Sequence, residues 1–115
     1  MSAGIAGSAG IIGDHLVQVL AALANPHRLR VLATLARERT YVSQLARELG
    51  ISRALLQVHL RKLEAAGLVS AHLEFSEDGK AMKFYEVNEF VYTLTPQSLA
   101  VAAQSLTVPA SVEEA

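Results

Sequence analysis

With 115 residues the chain is long enough for one compact domain and too short for two ordinary ones, so a site has to arise within one core or between identical copies. An apolar content of 51%, beside 18% charged and 5% aromatic residues, excludes a disordered polypeptide and leaves apolar surface for a partner to hide. No cysteine is present, which removes disulfide frameworks, thiolate metal sites, iron–sulfur clusters and a cysteine nucleophile together.

The net charge of −1 conceals a strong polarity. Residues 26–64 hold Arg28, Arg30, Arg37, Arg39, Arg47, Arg53, Arg61 and Lys62 against Glu38, Glu48 and Glu64, while the rest holds two lysines against eight acids. Such a division can turn a positive face to phosphate and keep an acidic surface in water.

The stretch Met1–Gly13 lacks the positive start of a secretory signal and is too short to span a bilayer, so residues 1–12 read as a flexible arm before a domain over 13–108. Between Asp14 and Ala24, Leu16, Leu20 and Leu23 recur at helical spacing and predict a first helix with a wide apolar face. Asn25 then caps a second helix, with Pro26 at the position where a missing amide costs nothing. That helix is expected to run to Arg37 with Leu29, Leu32, Ala33 and Ala36 facing inward. Thr40 is the expected cap of a third helix, in which Val42, Leu45, Ala46 and Leu49 share a face and Gly50 makes the stop.

Ser52 is an N-cap for a fourth helix with an inward stripe of Leu56, Leu60 and Leu63, ended at Gly67. Two short helices joined by Gly50, Ile51 and Ser52 form a helix-turn-helix pattern. Away from the leucines lie Arg53, Gln57 and Arg61, with Ala54, Val58 and Lys62 one position round. Arginine and glutamine suit bidentate contacts with base edges in a major groove, and small or β-branched side chains suit a thymine methyl.

After Gly67 the period changes to two: Val69, Ala71, Leu73 and Phe75 alternate with polar residues, Glu77, Asp78 and Gly79 make a turn, and Met82 to Val87 returns. The hairpin reads as a wing carrying Lys80 and Lys83 toward an adjacent phosphate or minor groove. Thr95 and Pro96 open a last helix to about Leu106, with Leu99, Ala102, Ala103 and Leu106 as its apolar face. Although Phe90–Val112 carries no charge, its hydroxyls, glutamines and two prolines break a membrane reading. The expectation is a cytoplasmic protein with no membrane partner, a flexible tail at 109–115, and a homodimer formed by Leu16, Leu20, Leu23, Leu99, Ala103 and Leu106. The fold is mainly α with a small β-hairpin, in the order α-α-α-α-β-β-α of a winged helix-turn-helix.

Three stretches carry a resemblance: Asn25-Pro26-His27-Arg28-Leu29-Arg30-Val31-Leu32, then Val42 to Gly50, then Ser52 through His59-Leu60 to Gly67-Leu68-Val69. In order and spacing the chain resembles the ArsR (arsenic-repressor-like) family of winged helix-turn-helix regulators over about residues 14–106. The resemblance implies a homodimer that binds an operator in double-stranded DNA and represses transcription until an effector releases it. It also implies that Ser52 caps the recognition helix, that Gln57 and Val58 read bases, and that His59 stands near a phosphate or braces the helix. The family commonly has Ser-Gln where this chain has Gln57-Val58, which alters the expected operator.

The metal sites of such relatives have no counterpart, because the third helix lacks a thiolate pair and the last helix lacks histidine or carboxylate. No two of His15, His27, His59 and His72 have the i, i+4 spacing of a helical site. No cofactor is expected, a nickel or zinc site across the dimer from His15, His72, Glu74 or the terminal acids being the alternative. Two other functions compete with the repressor: a winged-helix interaction module or corepressor without DNA binding of its own, answering to a protein or small-molecule effector, and an enzyme. The last has neither a glycine-rich phosphate loop nor an acid or base placed beside a nucleophile.

Overall fold

The computed structural model of the chain describes residues 11–107. It contains α1 (Gly13–Leu23), α2 (Pro26–Arg37), β1 (Thr40–Tyr41), α3 (Val42–Leu49), α4 (Arg53–Ala65), β2 (Val69–Phe75), β3 (Ala81–Val87) and α5 (Pro96–Ala103). Two compact units result, one comprising Ala21–Glu89 and the other drawn from both chain ends, up to Leu20 and from Phe90. The expected arm lies almost wholly outside the described residues, and the expected tail entirely so.

In the unit Ala21–Glu89, Asn25 Oδ1 accepts from the amides of His27 (2.9 Å) and Arg28 (3.2 Å), which starts α2 at Pro26. The core gathers Val31, Leu32 and Leu35 of α2, Val42, Leu45 and Ala46 of α3, the α4 leucines 56, 60 and 63, and Leu68, Val69 and Tyr85 from the sheet side. The expected inward face of α2 shares only Leu32 with the observed one: Leu29 is 53% exposed, whereas Arg28, Val31, Leu32, Thr34 and Leu35 are buried. The helix is turned by one residue, about 100°. Hiding Val31 and Leu35 removes more apolar area from water than hiding Ala33 and Ala36.

Thr40 is not a cap. Thr40 and Tyr41 form a short strand that pairs antiparallel with β3, Thr40 opposite Tyr85 and Tyr41 opposite Phe84, giving a three-stranded sheet in the order β1-β3-β2. Consequently Tyr41, the last residue of the strand, takes the N-cap position of α3 and supplies no side-chain cap. An edge-on contact of Tyr41 with Phe84, 5.6 Å between ring centroids, holds the added strand.

The hairpin pairs β2 with β3 from Val69↔Val87 to Phe75↔Ala81. Residues of one parity share a face, so Val69, Ala71, Leu73 and Phe75 point one way. Burial fades along that face: Val69 is buried, but Leu73 and Phe75 are 63% and 72% exposed. The predicted half-buried strand is therefore half-buried only at its base.

In the unit of the chain ends, Thr95 and Ser98 form a reciprocal capping box at the start of α5. The helix stops at Ala103, three residues before the expected end, and is followed by tighter i→i−3 bonds from Gln104, Ser105 and Leu106. The start of α1 meets that turn: Gly13 N donates to Ser105 Oγ (2.7 Å), and both the amide and the hydroxyl of Thr107 donate to the Asp14 carboxylate. A Cβ at Gly13 would collide with the carbonyl oxygen of Ala102 and with two side-chain carbons of Leu106 at 2.9 Å, so the approach requires glycine.

Candidate nucleic-acid interface

The turn between α3 and α4 is built from Gly50, Ile51 and Ser52. Gly50 takes φ +68°, a conformation costly for any side chain, and its amide closes α3 on Ala46 O at 2.8 Å. Ser52 Oγ then accepts from Leu55 N at 3.0 Å and opens α4. Leu56, Leu60 and Leu63 are fully buried and fix the helix rotation. At about 100° per residue, the opposite face is centred on Ala54, Val58, Arg61 and Ala65.

Arg53, Ala54, Val58, Arg61 and Lys62 are exposed and Gln57 is half-buried at the flank of that face. Arg30, Arg53, Arg61 and Lys62 have no acidic partner among the described residues. Leu55, 40% exposed, joins the outer edge; sequence reasoning missed it because a leucine beside a leucine stripe carries no outward signal.

Two members of the basic stretch do something else. Arg28 is buried, with Nε donating to Ala22 O (2.6 Å), NH2 to Ala21 O (3.4 Å) and NH1 meeting His59 Nδ1 (3.1 Å). Arg39 lies over the Phe84 ring and grips both oxygens of Glu74, which also meets His72 Nε2 at 3.1 Å. The bonds from Arg39 hold the Glu74 carboxyl below its ordinary range, and the same pairing raises Arg39. His59, expected either near a phosphate or as a brace of the helix, points inward at 6% exposure. Burial first, then the positive charges of Arg28, His27 and Lys62, push its pKa down.

Lys80 and Lys83 are exposed on the wing as expected. Lys83 Nζ stands 5.6 Å from the Tyr85 ring centroid. Glu77 and Asp78 share the hairpin turn with Lys80, so the tip is not uniformly basic. Of the expected interface leucines, Leu20, Leu99 and Leu106 are exposed, as is Ala103, while Leu23 is half-buried. Leu16 is a correction: only 6% exposed, it belongs to the interior of the single chain. Val17, which the spacing puts on a stripe beside the leucines, is exposed, and Val91, Leu94 and Val101 are exposed apolar residues that the spacing did not single out. Among the described residues no group of three or more histidine, cysteine or carboxylate side chains could hold a metal ion, and the terminal acids lie outside them. Among the same residues no helix is long and apolar enough to cross a membrane.

A helix-turn-helix whose second helix turns a face with cationic side chains outward, followed at once by a hairpin, defines a winged helix-turn-helix DNA-binding domain. The sequence profile of the family described as bacterial regulatory protein, arsR family, matches residues 25–71. An uncharacterised HTH-type transcriptional regulator of Methanocaldococcus jannaschii is 38% identical over 77 residues, covering 67% of this chain and 80% of that protein. The nodulation protein NolR of Rhizobium meliloti is 47% identical over 51 residues, 44% of this chain and 42% of that one. Among solved structures, NolR of Sinorhizobium fredii superposes with a TM-score of 0.56 at 27% identity, over 79% of this chain and 80% of that one. The homodimeric winged helix-turn-helix DNA-binding domain of a possible ArsR-family regulator of Mycobacterium bovis gives 0.58 at 25%, over 79% and 74%. The chain belongs to the ArsR family and is a transcriptional regulator; the family and the Methanocaldococcus jannaschii relative are described as regulators.

Proposed function

We propose that the chain acts in the cytoplasm as a homodimeric repressor that recognises an inverted-repeat operator through α4 and is released by an effector. The observation that carries the reading is the outward face of α4, where Ala54, Val58 and Arg61 are exposed over a helix held by three fully buried leucines. Gln57 and Arg61 would contact base edges, Val58 a thymine methyl, and Arg53, Lys62, Lys80 and Lys83 phosphates. Support for the dimer comes from the exposed apolar residues of the chain-end unit, Leu99, Val101 and Leu106 among them, and from the homodimeric relative of Mycobacterium bovis. Two copies of α4 would then enter major grooves with half-site centres about 34–36 Å apart, or a multiple of that.

Titration of the full chain with genomic fragments at several salt concentrations, with the oligomeric state read by sedimentation, tests this. A dimer that selects a palindromic fragment, with log K falling linearly in log salt, is expected. A chain that binds every fragment equally, or none while holding a protein partner, refutes it in favour of an interaction module.

A further inference from the structure

His59 Nε2 is a buried side-chain nitrogen with no hydrogen-bond partner among the described residues. Its ring meets a buried charge, the Arg28 guanidinium. Arg28 is a donor at every nitrogen, so the contact of its NH1 with His59 Nδ1 at 3.1 Å requires a lone pair on Nδ1 and puts the imidazole proton on Nε2. The guanidinium is itself moored: its Nε and NH2 donate to the carbonyls of Ala22 and Ala21 in the last turn of α1, the negative end of that helix. One cation thus ties the end of α1, the start of α2 and the middle of α4.

We infer that the Arg28–His59 pair positions the recognition helix and makes DNA binding sensitive to acid, because the tie exists only while the imidazole is uncharged. The inference rests on the reading that α4 contacts DNA. A second proton on the ring must go to Nδ1, where it would face the Arg28 N–H: two donors and two cations within 3.1 Å. The groups acting on the ring are Arg28 and His27 from α2 and Lys62 from α4 itself, all in the same direction, and no carboxylate of the described residues acts against them. The His27 ring is 5.4 Å from that of His59, centroid to centroid. The orphaned Nε2–H adds to the bias, since opening the pair to water gives that donor a partner it lacks in the closed arrangement.

The sign is unusual. With its folded pKa held below the ordinary 6.5, His59 keeps the tie complete above that value and loses it as pH falls through the lowered one. A histidine lying on a phosphate does the reverse and binds more tightly once protonated.

Two measurements on the full chain test this. The first is affinity for a selected DNA fragment from pH 8 downward at fixed ionic strength, for the native chain and for His59→Asn, whose amide keeps an acceptor where Nδ1 stood and does not titrate. The native affinity should fall by about tenfold per pH unit and per protomer below the folded pKa, and the slope should vanish in His59→Asn. A native affinity that rises on acidification, or an equal slope in both proteins, overturns the inference. The second is the nitrogen spectrum of the native imidazoles without DNA. It should show His59 as the Nε2–H tautomer, titrating below 6.5 together with amide shifts in α2 and α4. An Nδ1–H tautomer, or a titration that leaves α4 unmoved, overturns it as well. Failure of the native chain to bind any DNA at pH 8 refutes the functional reading alone, and the spectrum still judges the pair.

Discussion

Leu60 and Val58 stand two residues apart on α4 and should fail in opposite ways. Leu60 is fully buried, so Leu60→Ala deletes three carbons from a packed interior and leaves a cavity, which costs about 2–5 kcal/mol. For a domain of this size each kcal/mol lowers the midpoint by roughly 4–8 °C, so the midpoint should fall by at least about 8 °C. Val58 is 40% exposed, and Val58→Ala removes two carbons that water already reaches. Alanine's higher helix propensity offsets part of the loss, so stability should move by about 0.5 kcal/mol or less. In urea, Leu60→Ala should shift the midpoint at constant slope, while Val58→Ala should leave it in place and change which bases are preferred. Equal destabilisation by both would mean that the outer face of α4 is covered, and the assignment of the recognition face would fall.

Three further outcomes follow from the same contacts. Gly13→Ala forces apart the start of α1 and the turn after α5, and overpacking of this kind costs about 1–3 kcal/mol, so thermal melting should register it together with weaker self-association; unchanged values for both would contradict the close approach. Ser52→Ala removes the acceptor for Leu55 N and should cost about 1 kcal/mol in chemical denaturation, an unchanged midpoint showing the cap to be idle. The Asp14 carboxyl is lowered from 3.8 by its bonds to the Thr107 hydroxyl and amide. Its contribution is complete above 3.8 and disappears as pH falls through the lower folded value, so in Asp14→Asn the loss of stability below pH 4 should be shallower than in the native chain.

Local chemistry was the legible part of this chain. Asn25, Ser52 and Thr95 cap the helices their sequence neighbourhoods announce, and Gly50 closes α3 where the apolar period stops. The strand Thr40–Tyr41 was not legible, because two residues have no period and its partner lies over forty residues on. Nor was the rotation of α2: the face that buries Val31 and Leu35 also buries Arg28, and that charge is accommodated by carbonyls of the preceding helix and by His59, 31 residues away. Charge misled in the same way. Arg28 counts as a cation along the sequence, yet it is spent inside the fold, and Arg39 is spent on Glu74. Leu73 and Phe75 keep a buried strand's alternation on a face whose outer half is exposed among the described residues, and alternation alone carries no measure of how far a sheet is roofed.

The most direct measurement compares Gln57→Ala with Lys83→Ala across a set of DNA fragments and salt concentrations. If α4 reads base edges and the wing rests on phosphate, Gln57→Ala relaxes the sequence preference by about 1–3 kcal/mol at one position, while Lys83→Ala weakens all fragments alike and reduces the salt slope by about one. Equal, unselective losses from both variants would contradict the account.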